Sequence, residues 1–137
     1  MRPRYLLDTN MCIYLMKHQP VEVAARFAQC YVGEVVMSAV TMAELEYGVR
    51  CSGESQPRNR SALDQLLEDI PPEPFDQAAA RAYGPIRLAA RTSNRDALDK
   101  LIAAHAVALD ATLVTNNEGD FADYPGLRVE NWVDSQR

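Results

Sequence analysis

The sequence predicts a three-layer α/β fold with a central parallel sheet, on three observations. Short, largely apolar runs recur along the chain at Tyr5-Leu6-Leu7, Val35-Val36-Met37 and Thr112-Leu113-Val114-Thr115. Their apolar residues are consecutive rather than alternating, as in strands covered on both faces. Helical segments separate them, and strands alternating with helices imply parallel strands joined by crossovers. With 137 residues, 47% of them hydrophobic, the chain is read as one domain over residues 1–137, able to bury a core without staples.

The elements follow in order. Tyr5-Leu6-Leu7 runs into Asp8-Thr9-Asn10, so a buried strand enters a turn. Met11 to Lys17 and Val21 to Val32 read as helices broken by Pro20. The second strand ends at Ser38, and Thr41-x-x-Glu44 before an apolar run reads as a capping box opening a helix to Arg50. The polar stretch from Cys51 to Arg60 is taken as a loop, and Ser61 to Ile70 as a helix. Ile70 to Phe75 carries three prolines and is either extended or an edge strand. Asp76 to Arg91 is an alanine-rich helix, with Ile86 and Leu88 expected to face inward. Ala97 to Leu109 is apolar after its first turn and reads as a buried helix. After the third strand, Leu127 to Trp132 supplies a last extended segment.

Composition excludes several classes. No apolar run approaches the ~20 residues of a membrane span, and Met1-Arg2-Pro3-Arg4 leads into no signal-peptide core. Cys12, Cys30 and Cys51 are odd in number and lack Cys-x-x-Cys spacing, which predicts reduced thiols in a cytoplasmic protein. The net charge of −5 argues against non-specific coating of nucleic acid. The chain has no Gly-x-Gly-x-x-Gly, P-loop or Gly-x-Ser-x-Gly stretch. Asn10 stands where a haloacid-dehalogenase-type phosphatase would have the second Asp of Asp-x-Asp.

In a parallel sheet, ligands bind beyond the carboxyl ends of the strands. Four acids fall there: Asp8 after the first strand, Glu44 after the second, Asp99 in the first turn of the buried helix, and Asp120 after the third strand. Each has an ordinary structural alternative, as a cap, a capping-box partner, a dipole neutraliser or a turn residue. Together they form an all-oxygen cluster that repels itself unless a cation neutralises it. Hard oxygen ligands without paired His or Cys suit Mg²⁺ or Mn²⁺, ions that activate water against phosphodiesters. Setting the four acids aside leaves 15 acidic against 14 basic residues. Arg2, Arg4, Lys17, Arg87, Arg91, Arg95 and Lys100 are then candidates for a phosphate-binding rim. Lys17, Arg87, Arg91 and Lys100 are the substrate-contact candidates among them, a solvated surface being the alternative reading. Asn10, Thr115 and Asn117 are candidate supports of the acids. His105, six residues after Asp99, shares no helical face with it and reads as a structural histidine. His18 is expected to be exposed, and Met11, Met16, Met37 and Met42 to fill core.

Leu6-Leu7-Asp8-Thr9-Asn10-Met11-Cys12-Ile13-Tyr14 resembles the opening of a PIN-domain ribonuclease, and more closely the VapC toxins of bacterial toxin–antitoxin pairs. Ser38 to Gly48 is similar to that family's second motif and Leu98 to Ala106 to its third. Thr115-Asn116-Asn117 through Asp120-Phe121 resembles the fourth, and Gly126 to Trp132 its last strand. The resemblance spans Leu6 to Trp132 and implies a PIN-like fold with Asp8, Glu44 and Asp99 as metal ligands. Asp120 or Asn117 would complete the set, and Lys100 departs from the pattern. It further implies a Mg²⁺- or Mn²⁺-dependent endoribonuclease, a type II toxin acting on structured RNA such as tRNA. A VapB-like antitoxin, homodimers and higher hetero-oligomers with that antitoxin belong to the same picture. A non-catalytic PIN-like module binding RNA or protein is the alternative, and the presence of all four acids argues against it.

Overall fold

The computed structural model describes residues 2–90 and 97–133. In chain order the elements are β1 (Tyr5–Leu7), α1 (Thr9–Lys17), α2 (Val21–Phe27), β2 (Val35–Ser38), α3 (Ala39–Arg50), α4 (Gln56–Asp69) and β3 (Pro72–Glu73). They continue as α5 (Gln77–Ala89), α6 (Ala97–Leu109), β4 (Thr112–Val114), α7 (Glu118–Phe121) and β5 (Val129–Glu130). The five strands form one parallel sheet in the order β3-β2-β1-β4-β5.

The central strand explains the layering. Leu6 and Leu7 are both fully buried, because successive side chains leave a strand on opposite faces and both faces are covered. Tyr5 and Leu7, with Val35, Met37 and Val114, join one core that also takes Met11 and Leu15 of α1 and Leu63 and Leu66 of α4. Leu6, Val36 and Leu113 join the other, against Ile86 of α5, Ile102 to Ala104 of α6 and Phe121 of α7. Met11 and Met37 are core residues, and Met16 and Met42 pack against that core, as the sequence predicts. All three cysteines are free. Among the described residues, no helix is long and apolar enough to cross a membrane.

Several boundaries move for local reasons. Helix α1 starts at Thr9, two residues early, because Asp8 caps it. Helix α2 stops at Phe27 instead of reaching Val32. Helix α4 begins at Gln56, inside the stretch read as a loop, with Pro57 in its first turn, where a missing N–H costs nothing. Leu88 does not face inward: it is 64% exposed while Ile86 is 1% exposed. Two residues apart on a helix, they lie on opposing sides. The proline-rich segment is an edge strand, β3, where Pro72 can be tolerated.

Candidate acidic active site

Register places the site. Leu7 pairs with Met37 on one side and Val114 on the other, so the next residue, Asp8, sits between Ser38 and Thr115 at the carboxyl edge. Its N–H donates to the Val114 carbonyl at 3.0 Å. Its carboxylate caps α1, Oδ1 accepting from the Met11 N–H at 2.9 Å, with further donation from the Asn10 N–H and the Thr115 side chain. Asp8 is therefore both a helix cap and a site carboxylate. Burial pushes its pKa up, the Glu44 charge adds to that, and these hydrogen bonds only partly offset it. Among the described residues no Lys or Arg forms an ion pair with it.

Glu44 arrives by a different route from the predicted capping box. The cap of α3 is Ser38, whose Oγ accepts from the Val40 N–H at 3.0 Å, while Thr41 lies inside the helix and is buried. Glu44 instead accepts from the Thr9 hydroxyl, in a short hydrogen bond to Oε1. The side chain following Asp8 thus fastens the second acid beside the first. The adjacency of Thr9 to Asp8 is its only sequence signal.

Asp99 lies in the first turn of α6 and Asp120 in α7. Both are partly exposed, and both act on Tyr124, whose hydroxyl is pushed up by burial and then by their charges. Tyr124, stacked edge-on to Phe121 at 5.7 Å, is a site neighbour that no spacing argument selects. Thr115 is fully buried and accepts from the Asn117 N–H at 3.0 Å while contacting Asp8. Asn117 and Asn10 are exposed. Asp8 thus feels the charge of Glu44, while Asp99 and Asp120 share Tyr124 as a neighbour. Among the described residues no three His, Cys, Asp or Glu side chains come together as a group that could hold a metal ion. An open, all-oxygen set still fits Mg²⁺ or Mn²⁺, because Mg²⁺ keeps several waters and takes one or two carboxylates. The buried Asp8 carboxylate, with a second acid beside it, fits such a cation.

The basic rim is redrawn. Arg2 and Arg4 stand at the amino edge of the sheet, before β1, paired with Asp110 and Glu34 at 2.9 Å each. They are not beside the acids. Lys17 is exposed at the far end of α1, roughly 12 Å along the axis from its start. Arg87 is exposed on α5, its guanidinium 6.0 Å from the Tyr83 ring centre. Lys100 is 7% exposed and so does not stand on an open rim. Arg91 and Arg95 lie outside the described residues. Neither histidine joins the carboxylates: His18 ends α1, and His105 is buried against Ser38.

The chain matches the family model described as PIN domain over residues 5–127. It is 37% identical over 134 residues to Ribonuclease VapC2 of Haemophilus influenzae, spanning 95% of this chain and 98% of that protein. It is 35% identical over 131 residues to the tRNA(fMet)-specific endonuclease VapC of Shigella flexneri, spanning 94% and 98%. The solved structure of DNA-bound VapBC from Salmonella typhimurium superposes with a TM-score of 0.86 at 32% identity, covering 95% of this chain and 98% of that one.

Proposed function

This chain belongs to the PIN-domain family, within its VapC branch, and from that premise we propose that it is the toxin of a type II toxin–antitoxin pair, an endoribonuclease dependent on Mg²⁺ or Mn²⁺. The observation that carries the reading is Asp8: a buried carboxylate at the carboxyl edge, beside Glu44, with no cation of the chain paired to it among the described residues. Asp8, Glu44 and Asp99 are the proposed ligands, with Asp120 as the fourth acid and Asn117 near it. Bound there, Mg²⁺ or Mn²⁺ supplies charge neutralisation and water activation for attack on phosphorus.

The chain's own residues do the rest. The Met11 and Asn10 amides and Thr115 hold Asp8 in one orientation, and Thr9 holds Glu44. Burial of Asp8 lowers the dielectric around its carboxylate and strengthens the charge interactions made there. Neither histidine is placed to serve as the base for attack by a 2′-OH. The 2′-OH therefore serves recognition only.

RNA, in particular structured RNA such as tRNA, is the proposed substrate, supported by the printed name of the Shigella relative. A VapB-like antitoxin is the proposed partner, supported by the Salmonella complex, with a cytoplasmic homodimer that enters larger assemblies with it. The test is cleavage of tRNA with end-group analysis. EDTA should abolish cutting and Mg²⁺ or Mn²⁺ restore it, leaving a 5′-phosphate and a 3′-OH. Products ending in a 2′,3′-cyclic phosphate, or full activity in EDTA, overturn the proposal.

A further inference from the structure

His105 is a fully buried polar ring. It lies on α6, the helix that carries Asp99. Its Nδ1 is 2.8 Å from the Ser38 Oγ, and that same oxygen accepts the Val40 N–H at 3.0 Å as the cap of α3. The ring also bonds the backbone of Pro74. A proline has only a carbonyl to offer, so His105 is the donor there. The ring packs edge-on against Phe75 at 5.4 Å.

These contacts suit one tautomer. With one imidazole nitrogen donating to Pro74, neutral His105 has Nδ1 free to accept, and the Ser38 hydroxyl donates to it. Burial favours that neutral form, pushing the pKa below its ordinary value, while Pro74 and the charge of Asp76 pull the other way. Asp76 is itself the cap of α5, accepting from the Ala79 N–H at 3.0 Å. One ring therefore ties α6 to the start of α3 and to the segment that opens α5.

We infer that His105 is a positioning residue of the acidic site: acting through Ser38, it sets where α3, and with it Glu44, stands relative to Asp99 on α6. It touches neither acid. Its role rests on the reading of the site given above, and it adds a residue to that site which belongs to none of the acids or their direct hydrogen-bond partners.

The test uses the full chain as wild type, His105→Ala, His105→Asn, Ser38→Ala and the Ser38→Ala/His105→Ala double variant. Three quantities are read: Mn²⁺ affinity without RNA, kcat and KM on RNA at saturating Mn²⁺, and backbone amide exchange from Val40 to Glu44. Loss of groups that orient metal ligands typically costs about 10–100-fold. His105→Ala and Ser38→Ala should each weaken Mn²⁺ binding and lower kcat in that range, with KM little changed, and speed exchange at Val40. His105→Asn, whose amide oxygen takes the place of Nδ1 as acceptor, should recover most of the loss. The double variant should be no worse than either single one, because both break one link. Unchanged affinity and exchange in His105→Ala, or fully additive losses, would overturn the inference, as would a fall in thermal stability alone. A wild type that binds no Mn²⁺ would sink the cation reading instead, with exchange at Val40 still deciding whether the link exists.

Discussion

Asp110 and Asp8 are aspartates at opposite edges of the same parallel sheet. Asp110 precedes β4, where Arg2 and Arg128 hold its carboxylate at 2.9 and 3.0 Å. At the same edge Glu34 takes Arg4 at 2.9 Å and the Tyr31 amide at 2.8 Å. These partners hold both carboxyls below their usual range, Arg128 foremost for Asp110 and the Tyr31 amide foremost for Glu34. Asp8 follows β1 at the other edge, where burial and Glu44 push it up. The residue type is the same and the partners differ. At the amino edge the chain supplies its own cations to close the fold. At the carboxyl edge Asp8 faces a second acid, Glu44, and on the proposed function a divalent cation would balance that charge.

The harshest way to break this comparison is Asp8→Asn. Asparagine caps a helix about as well as aspartate, so α1 should persist while the charge goes. RNA cleavage should fall by more than the roughly 100-fold lost when a supporting group is removed. The thermal midpoint should stay level or rise. Unaltered activity in this variant contradicts the site assignment. Next in size is Thr115→Val, which removes the hydroxyl that lowers the Asp8 pKa. Cleavage should drop roughly 10-fold, and the acid limb of the pH–activity profile should move to higher pH, because the carboxylate has lost a donor.

The two edges also carry opposite pH signatures. Lowered carboxyls such as Asp110 stabilise the fold above the ordinary carboxylate range, a contribution lost as pH falls through their folded values. A raised carboxyl such as Asp8 does the reverse: its ionisation opposes folding, a cost that grows as pH climbs from about 4 through its folded value. Chemical denaturation should therefore find the stability gap between Asp8→Asn and wild type widening as pH rises from about 4 and levelling off above the folded value of Asp8. The smallest effect belongs to Arg128→Ala. An exposed pair contributes little, so activity should stay within about twofold and only a slight loss of stability should appear in a melt.

The fold was legible wherever burial leaves a continuous mark: three apolar runs, and the apolar stretch of α6, located β1, β2, β4 and that helix. The three prolines of Ile70 to Phe75 left two readings, extended or edge strand, and β3 takes the edge. Helix starts were less legible, because several residue types can cap. Ser38, not Thr41, caps α3, and the polar run from Cys51 hid the start of α4. At the site, Asp8 after an apolar run was a candidate only in company with the other three acids, and the structure gives it the cap role that its position alone also allowed. The Thr9–Glu44 and Ser38–His105 links join residues 35 and 67 positions apart, and no periodicity records such pairs. The sequence likewise offered Arg2 and Arg4 as rim residues, whereas strand direction sends them to the amino edge.

The most direct measurement is the thermal midpoint of wild type and Asp8→Asn, each with and without 10 mM Mg²⁺. If the carboxyl edge awaits a cation, Mg²⁺ should stabilise the wild type by mass action, by about 1.4 kcal/mol for a Kd of about 1 mM. In a domain of this size that is a rise of roughly 3–5 °C. Asp8→Asn should begin level or higher and barely respond. Equal responses from the two proteins, or none from the wild type, would contradict the account.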